Sequence, residues 1–90
     1  MVKPKIIIDD KIPFLIERIG NRAQTRFIPA AEITREAVRD ADAVLVRTRT
    51  RCDASLLEGS KVRMVFSATI GADHLDVDWC ASAGIEAGSA

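Results

Sequence analysis

The sequence predicts an α/β domain built on a doubly wound, parallel, five-stranded sheet. Two apolar runs, Ile6–Ile8 and Ala43–Val46, have the length and β-branched composition of strands buried on both faces. They alternate along the chain with segments whose apolar residues recur at helical spacing. Because the connections are short, we expect right-handed β-α-β units, and such units build a parallel sheet.

The amino-terminal half of the chain provides the first two strands and two helices. Lys5–Ile8 is an apolar run that ends at acidic residues, and a proline in the first turn supports a helix over Pro13–Ile19. A weaker strand is predicted over Thr25–Ile28. Thr34 is suited to cap a second helix, which closes at Asp40–Asp42.

The carboxyl-terminal half continues the same alternation. After the strand Ala43–Val46, Asp53 is placed to cap a helix that Gly59 ends. The remaining predicted elements are a strand over Arg63–Ala68, a helix from Asp76 to Gly84 and a strand over Ile85–Ala87. We therefore expect one domain over residues 1–90 with the flavodoxin-like strand order 2-1-3-4-5, lacking the helix that normally follows the last strand.

Composition and charge argue against several classes of function. Lysine and arginine number 13, aspartate and glutamate also number 13, and the zero net charge gives no general attraction to nucleic acid or an anionic membrane. No apolar run approaches the roughly 18 residues of a membrane span, and the amino terminus lacks the apolar core of a secretory signal. We expect a cytoplasmic protein with neither a nucleic-acid nor a membrane partner.

A ligand site is predicted where the strand order of the sheet reverses, beyond the carboxyl ends of the first, third and fourth strands. The residues that leave these strands are Asp9, Asp10 and Lys11 after the first, Arg47, Thr48 and Arg49 after the third, and Thr69, Ile70 and Gly71 after the fourth. A guanidinium, two hydroxyls and free backbone N–H groups together suit carboxylate or phosphate oxygens. The simpler interpretation is a solvated loop whose arginine side chains point outward.

Few other residues suggest chemistry. Asp73, His74 and Asp76 could support proton transfer, but we expect the aspartates to begin helices and the histidine to pack or hydrogen-bond locally. Cys52 and Cys80 lack metal-ligand spacing and are predicted to be reduced thiols in apolar packing, so we expect no metal site.

Four stretches of the sequence resemble the amino-terminal domain of D-2-hydroxyacid dehydrogenases. They are Ile7–Pro13, Asp40–Thr50, Ala68–Asp76 and Ala83–Ile85, and the third contains the pattern T-x-G-x-D-H-x-D. The resemblance implies a substrate domain that closes against a Rossmann domain holding NAD. By motif match, it also assigns substrate binding to Arg47, Thr48, Thr69 and the backbone of Ile70 and Gly71.

The parts of that family that perform hydride transfer are not found in this sequence. It contains no G-x-G-x-x-G and no P-loop, and His74 does not match the family's catalytic histidine. We therefore expect no catalytic residue and no cofactor in this chain, with NAD belonging to the parent family. The tail after Ile85 also departs from the family pattern, which suggests a cut or engineered fragment.

Loss of the final helix predicts self-association. One face of the central strands, including parts of Ile6–Ile8 and Val44–Val46, would meet water, at a cost of about 5–10 kcal/mol. We expect a homodimer, formed by face-to-face packing or by exchange of the last strand and helix.

Two further functions are considered. A response-regulator-like phosphoacceptor module would need aspartate at the end of the third strand and lysine at the end of the fifth, where the sequence has Arg47-Thr48 and Glu86-Ala87. Weak binding of a small anion by Arg47 and Thr69 is compatible with the substrate-domain hypothesis.

Overall fold

The computed structural model describes residues 3–12, 23–68 and 74–89. Its strands are β1 (Lys5–Asp9), β2 (Gln24–Ile28), β3 (Ala43–Val46), β4 (Met64–Ser67) and β5 (Glu86–Ser89). Its helices are α1 (Arg35–Val38), α2 (Ala54–Leu57) and α3 (Val77–Ser82), with a 3-10 turn over Ala30–Glu32. The helix predicted over Pro13–Ile19 lies outside the described residues.

All five strands pair in parallel, in the order β2-β1-β3-β4-β5. The predicted fold class and strand order are therefore confirmed. Ile7 lies opposite Val44, which lies opposite Val65, so the three central strands present one continuous apolar row. This row is the middle of the sheet, and all three side chains are fully buried.

One face of the sheet carries most of the core. Val38 of α1, Leu57 of α2 and Cys80 of α3 pack in a single cluster with Val44 and Val65. The three helices thus cover the same face, and each contributes a fully or almost fully buried side chain to it. The apolar area removed from water here is the main favourable term in folding.

The opposite face has a smaller core, made by Ile8, Ile12 and Leu45. The expectation that parts of Ile6–Ile8 and Val44–Val46 would meet water is wrong for all of these residues except Ile6, which is partly buried. Ile7, Ile8, Val44 and Val46 are fully buried and Leu45 is buried.

Ile7, Val44 and Val46 belong to the main core beneath the three helices, whereas Ile8 and Leu45 belong to the smaller core, where the chain turns back after β1. The Ile12 N–H donates to the Asp9 carbonyl at 3.1 Å, and this turn places the Ile12 side chain over the central strands. The exposed apolar surface of this face lies instead on β4, where Met64 is 42% and Phe66 36% exposed.

The helix ends follow the predicted capping in two of three cases. Thr34 Oγ1 accepts from the Ala37 N–H at 3.3 Å, and Asp76 Oδ1 accepts from the Trp79 N–H at 3.1 Å. Asp53 is the N-cap residue of α2, as predicted, but its side chain makes no capping bond and instead accepts from Arg51 Nε at 3.1 Å.

Among the residues that the structure describes, no helix has the length and apolar character that crossing a membrane demands.

Candidate site at the carboxyl edge of the sheet

The candidate site lies at the carboxyl ends of β1 and β3, which are neighbours in the sheet. The sheet extends from β1 to β2 on one side and from β3 to β4 and β5 on the other, so the strand order reverses between β1 and β3. Side chains and loops that leave adjacent parallel strands meet at one edge, which is the usual ligand position in open α/β sheets. At this edge β1 ends in Asp9, and β3 continues into Arg47 and the turn that follows.

Asp9 and Arg47 form a buried ion pair at this edge. The Asp9 side chain is fully inaccessible to solvent, and its Oδ2 atom lies 3.2 Å from Arg47 Nε. The other carboxylate oxygen, Oδ1, accepts from the Lys11 N–H at 2.9 Å. The Arg47 side chain is 27% exposed, so the pair spans the boundary between core and solvent.

The residues after Arg47 form a tight turn. The Thr50 N–H donates to the Arg47 carbonyl at 3.2 Å, which leaves Thr48 and Arg49 exposed at the tip. Thr48 is therefore placed at the predicted edge beside Arg47. Arg51 pairs with Asp53, whereas no ion pair of Arg49 is found within the described ranges.

Three buried polar side-chain atoms of the described residues lack a hydrogen-bond partner, and all three lie at this edge. They are Asp9 Oδ2, Arg47 Nε and Thr50 Oγ1. Asp9 and Arg47 are close enough to attract each other, but their atoms are not aligned for a hydrogen bond. Because buried polar groups are nearly always hydrogen-bonded, such a cluster marks an unusual part of the structure.

A short bridge joins the loop after β3 to the segment that enters α3. The Cys52 N–H donates to the His74 carbonyl, and the Asp76 N–H donates to the Cys52 carbonyl, both at 2.8 Å. The His74 side chain lies inside, with Nε2 at 2.8 Å from Ser67 Oγ. The predicted local hydrogen bond of the histidine is therefore confirmed, as is the start of a helix at Asp76.

Both cysteines pack in the main core. Cys52 and Cys80 are fully buried free thiols, as predicted. Burial raises the pKa of the Cys52 thiol from 9.0 to about 12, with smaller contributions from Cys80 and Asp53. Burial also raises the pKa of the Cys80 thiol. Neither sulfur has the low pKa of a nucleophilic cysteine.

Of the five predicted site residues, the structure places Arg47 and Thr48 together at the edge. Thr69, Ile70 and Gly71 lie outside the described residues, as does Asp73, so their part in the site stays a prediction. Sequence reasoning missed the contact between Asp9 and Arg47. The available signal was a carboxylate at the end of β1 and a guanidinium at the end of the adjacent β3.

Two clefts lie elsewhere on the surface. One, of about 340 Å³, runs between α1 and the end of α2 and is lined by Arg35, Arg39, Glu36 and Glu58 among others. The other, of about 430 Å³, adjoins residues that precede the strands at the opposite edge of the sheet. The first mixes both charges, and neither cleft includes any of the five predicted site residues.

The described residues do not fit a dinucleotide cofactor. The Asp9 and Asp10 carboxylates stand at the end of β1, where the pyrophosphate of a bound dinucleotide usually lies. Residues 3–12 contain no glycine, so no glycine-rich turn in this part of the chain offers backbone N–H groups to a pyrophosphate at that position.

Comparison with known proteins identifies close relatives by sequence. Residues 6–90 match the family model described as D-isomer specific 2-hydroxyacid dehydrogenase, catalytic domain. The chain is 53% identical over 83 residues to erythronate-4-phosphate dehydrogenase of Bacteroides thetaiotaomicron, covering 91% of this chain and 24% of that protein. It is 47% identical over 85 residues to the enzyme of the same name from Pseudomonas entomophila, a match that covers 94% of this chain and 22% of that protein.

Solved structures share the fold at low sequence identity. D-lactate dehydrogenase from Aquifex aeolicus, complexed with NAD and lactic acid, matches with a TM-score of 0.76 and 16% identity, covering 96% of this chain and 27% of that one. TT0316 protein from Thermus thermophilus matches with a TM-score of 0.78 and 20% identity, and the match covers 92% of this chain and 29% of that one. The chain spans about a quarter of the length of the curated relatives it matches.

Proposed function

The chain belongs to the D-isomer specific 2-hydroxyacid dehydrogenase family, and from this premise we propose that it is a substrate-binding part of such an enzyme. The names of its relatives suggest 4-phosphoerythronate as the substrate of the parent enzyme. In this proposal the carboxyl edge of β1 and β3 contacts the anionic groups of the substrate. Arg47 and Thr48 supply a guanidinium and a hydroxyl, and Thr69, Ile70 and Gly71 supply the remaining contacts.

The observation that carries this proposal is the clustering of unsatisfied buried polar atoms at one edge. Asp9 Oδ2, Arg47 Nε and Thr50 Oγ1 are all found there. Arginine is well suited to carboxylate and phosphate because its planar group donates several parallel hydrogen bonds. The exposed Thr48 and Arg49 beside it add a further hydroxyl and a positive charge.

We propose that this chain alone does not transfer hydride. NAD would supply the hydride acceptor in the parent enzyme, but the described residues do not fit that cofactor, so no step through it is derived. The role left to this chain is to bind and orient a 2-hydroxyacid. Incubation of the purified chain with NAD and 4-phosphoerythronate should give no rise in absorbance from reduced cofactor, and turnover would refute this part of the proposal.

Binding is tested by titrating 4-phosphoerythronate into the ¹⁵N-labelled chain and following amide shifts. We expect the largest changes at Thr48, Arg49 and Thr50, with Arg47→Gln weakening them by about tenfold or more. Arg39→Gln, in the mixed-charge cleft beside α1, is the matched control and should leave the titration unchanged. The proposed site would be contradicted if the largest amide shifts lay around that cleft, or if Arg47→Gln and Arg39→Gln weakened 4-phosphoerythronate binding equally.

Exposed apolar surface on β4 supports a second, weaker proposal, namely self-association with another copy of this chain. Met64 and Phe66 lie on the same face and are 42% and 36% exposed. In a twofold dimer the two pairs would bury roughly 300 Å² of apolar surface. That is far below the about 1,200 Å² of a stable interface, so we expect only weak association.

Sedimentation velocity at increasing concentration tests this association. The average mass should rise above that of one chain only at high micromolar concentration, and Met64→Glu should abolish the rise. A single-chain mass at every concentration would refute the proposal. Exchange of the last strand and helix between copies, and cytoplasmic location, stay predictions.

A further inference from the structure

A buried carboxylate beside a predicted anion site needs explanation. Asp9 is fully buried at the end of β1, and its negative charge opposes the binding of a carboxylate or phosphate nearby. Removal of a carboxylate from water is expensive unless its partners are well placed. Here it has one backbone donor, the Lys11 N–H at 2.9 Å, and one cation, Arg47.

The contact between Asp9 and Arg47 involves one particular nitrogen. Nε of Arg47 is 3.2 Å from Asp9 Oδ2 and is itself buried, although the side chain as a whole is 27% exposed. Nε carries only one of the five N–H donors of a guanidinium. The two atoms are not aligned for a hydrogen bond, but both are buried, so the contact holds Nε beside Asp9 and leaves the two terminal amino groups for another acceptor.

The pair between Arg51 and Asp53 on the same loop provides a comparison. It also joins Nε to a carboxylate oxygen, at 3.1 Å, but the side chains are 71% and 24% exposed. An exposed pair of this kind contributes little to stability and does not hold the arginine in one orientation. Burial distinguishes the Asp9 pair, because packing restricts both partners.

We propose that Asp9 is a positioning residue, which holds the Arg47 guanidinium so that its terminal amino groups meet an oxyanion of the substrate. This inference rests on the proposed function of the site. It explains why a negative charge is present where an anion is expected to bind. A positioned donor pair gives directional hydrogen bonds, and these outweigh the repulsion from a carboxylate already neutralised by its own arginine.

The inference can be tested by the sign of one effect. If Asp9 only reduces the positive charge of the edge, Asp9→Asn should strengthen binding of inorganic phosphate. If Asp9 positions Arg47, Asp9→Asn should weaken that binding by about tenfold, although the edge becomes more positive. Asp10→Asn removes an exposed charge from the next residue and reports the effect of charge alone, so it should leave phosphate affinity unchanged or increased.

The experiment uses the full chain with ¹⁵N-labelled arginine, titrated with inorganic phosphate. In the wild type we expect a protected Nε–H signal from Arg47 before phosphate is added, and shifts of its terminal amino groups during the titration. Asp9→Asn should lose the protection as well as the affinity, whereas Asp53→Asn should change neither. Equal or tighter binding by Asp9→Asn would overturn the inference and leave the proposed function standing.

If the Asp9→Asn variant does not fold, the Arg47→Lys variant tests the same inference by phosphate titration. Lysine can retain the charge and the contact with Asp9, but it has no second group of donors to offer. We expect it to bind phosphate as poorly as Arg47→Gln, and wild-type affinity would overturn the inference. Failure of the wild type itself to bind either phosphate or 4-phosphoerythronate would overturn both this inference and the proposed function.

Discussion

The two valines Val65 and Val77 allow one substitution to be compared in two environments. Val65 is fully buried at the centre of β4, and Val77 is 46% exposed at the start of α3. Val65→Ala removes two buried methyl-sized groups, worth about 0.8 kcal/mol each, and leaves a cavity. We expect the free energy of unfolding to fall by about 2–3 kcal/mol.

Val77→Ala should lower the free energy of unfolding by no more than about 0.5 kcal/mol. Only part of the side chain is buried there, and alanine has the higher helix propensity. Urea unfolding followed by the fluorescence of Trp79, which packs against the main core, measures both variants. The assignment of Val65 to the centre of the core would be refuted if both substitutions lowered the free energy of unfolding equally while the slope of that free energy against urea concentration stayed unchanged.

Three further predictions concern a cap, a turn and the thiols. Thr34→Ala removes the hydroxyl that caps α1 and should cost about 1 kcal/mol, whereas Thr34→Ser should cost less; equal losses in urea unfolding would contradict the cap. Gly84→Ala forces a side chain into a backbone with φ of 78° and should cost about 1 kcal/mol, although nothing obstructs the added carbon; a neutral result would contradict this geometry. Burial raises the pKa of the Cys52 thiol to about 12, so as the pH rises the thiol loses its proton in the unfolded chain before it does so in the folded chain. Its contribution to the free energy of unfolding is therefore retained below pH 9 and falls above pH 9 by up to about 1.4 kcal/mol per pH unit. Cys52→Ala should show a shallower fall in alkaline urea unfolding, and an identical pH dependence would refute the buried thiol.

The sheet could be predicted from sequence because its central strands are short, continuous apolar runs. Ala43–Val46 was predicted with the bounds that the structure gives, and all four residues are buried. The last strand was misplaced by one residue at its start, Ile85 instead of Glu86. The Ile85 N–H donates to the Cys80 carbonyl at 2.8 Å, so this apolar residue still completes the end of α3 and does not pair in the sheet.

The position of Arg47 could be predicted from strand order, but its contact with Asp9 could not. Hydrophobic periodicity gives the face of a residue within an element, whereas the Asp9 contact depends on how two strand ends approach each other. The burial of Ile8 and Leu45 was missed for a related reason. Both side chains pack with Ile12, which turns back over the sheet, and no repeating pattern in the sequence indicates that contact. That the chain is an engineered fragment stays a prediction.

The bridge between Cys52 and Leu75 limits how these loops can vary in length. Its two hydrogen bonds fix the alignment of the loop after β3 with the entry to α3. One residue inserted between Thr50 and Asp53 would shift that alignment and move Cys52 out of the core. We expect libraries of random insertions to be depleted here and enriched around the exposed turn tip at Thr48 and Arg49, where extra residues can project into water.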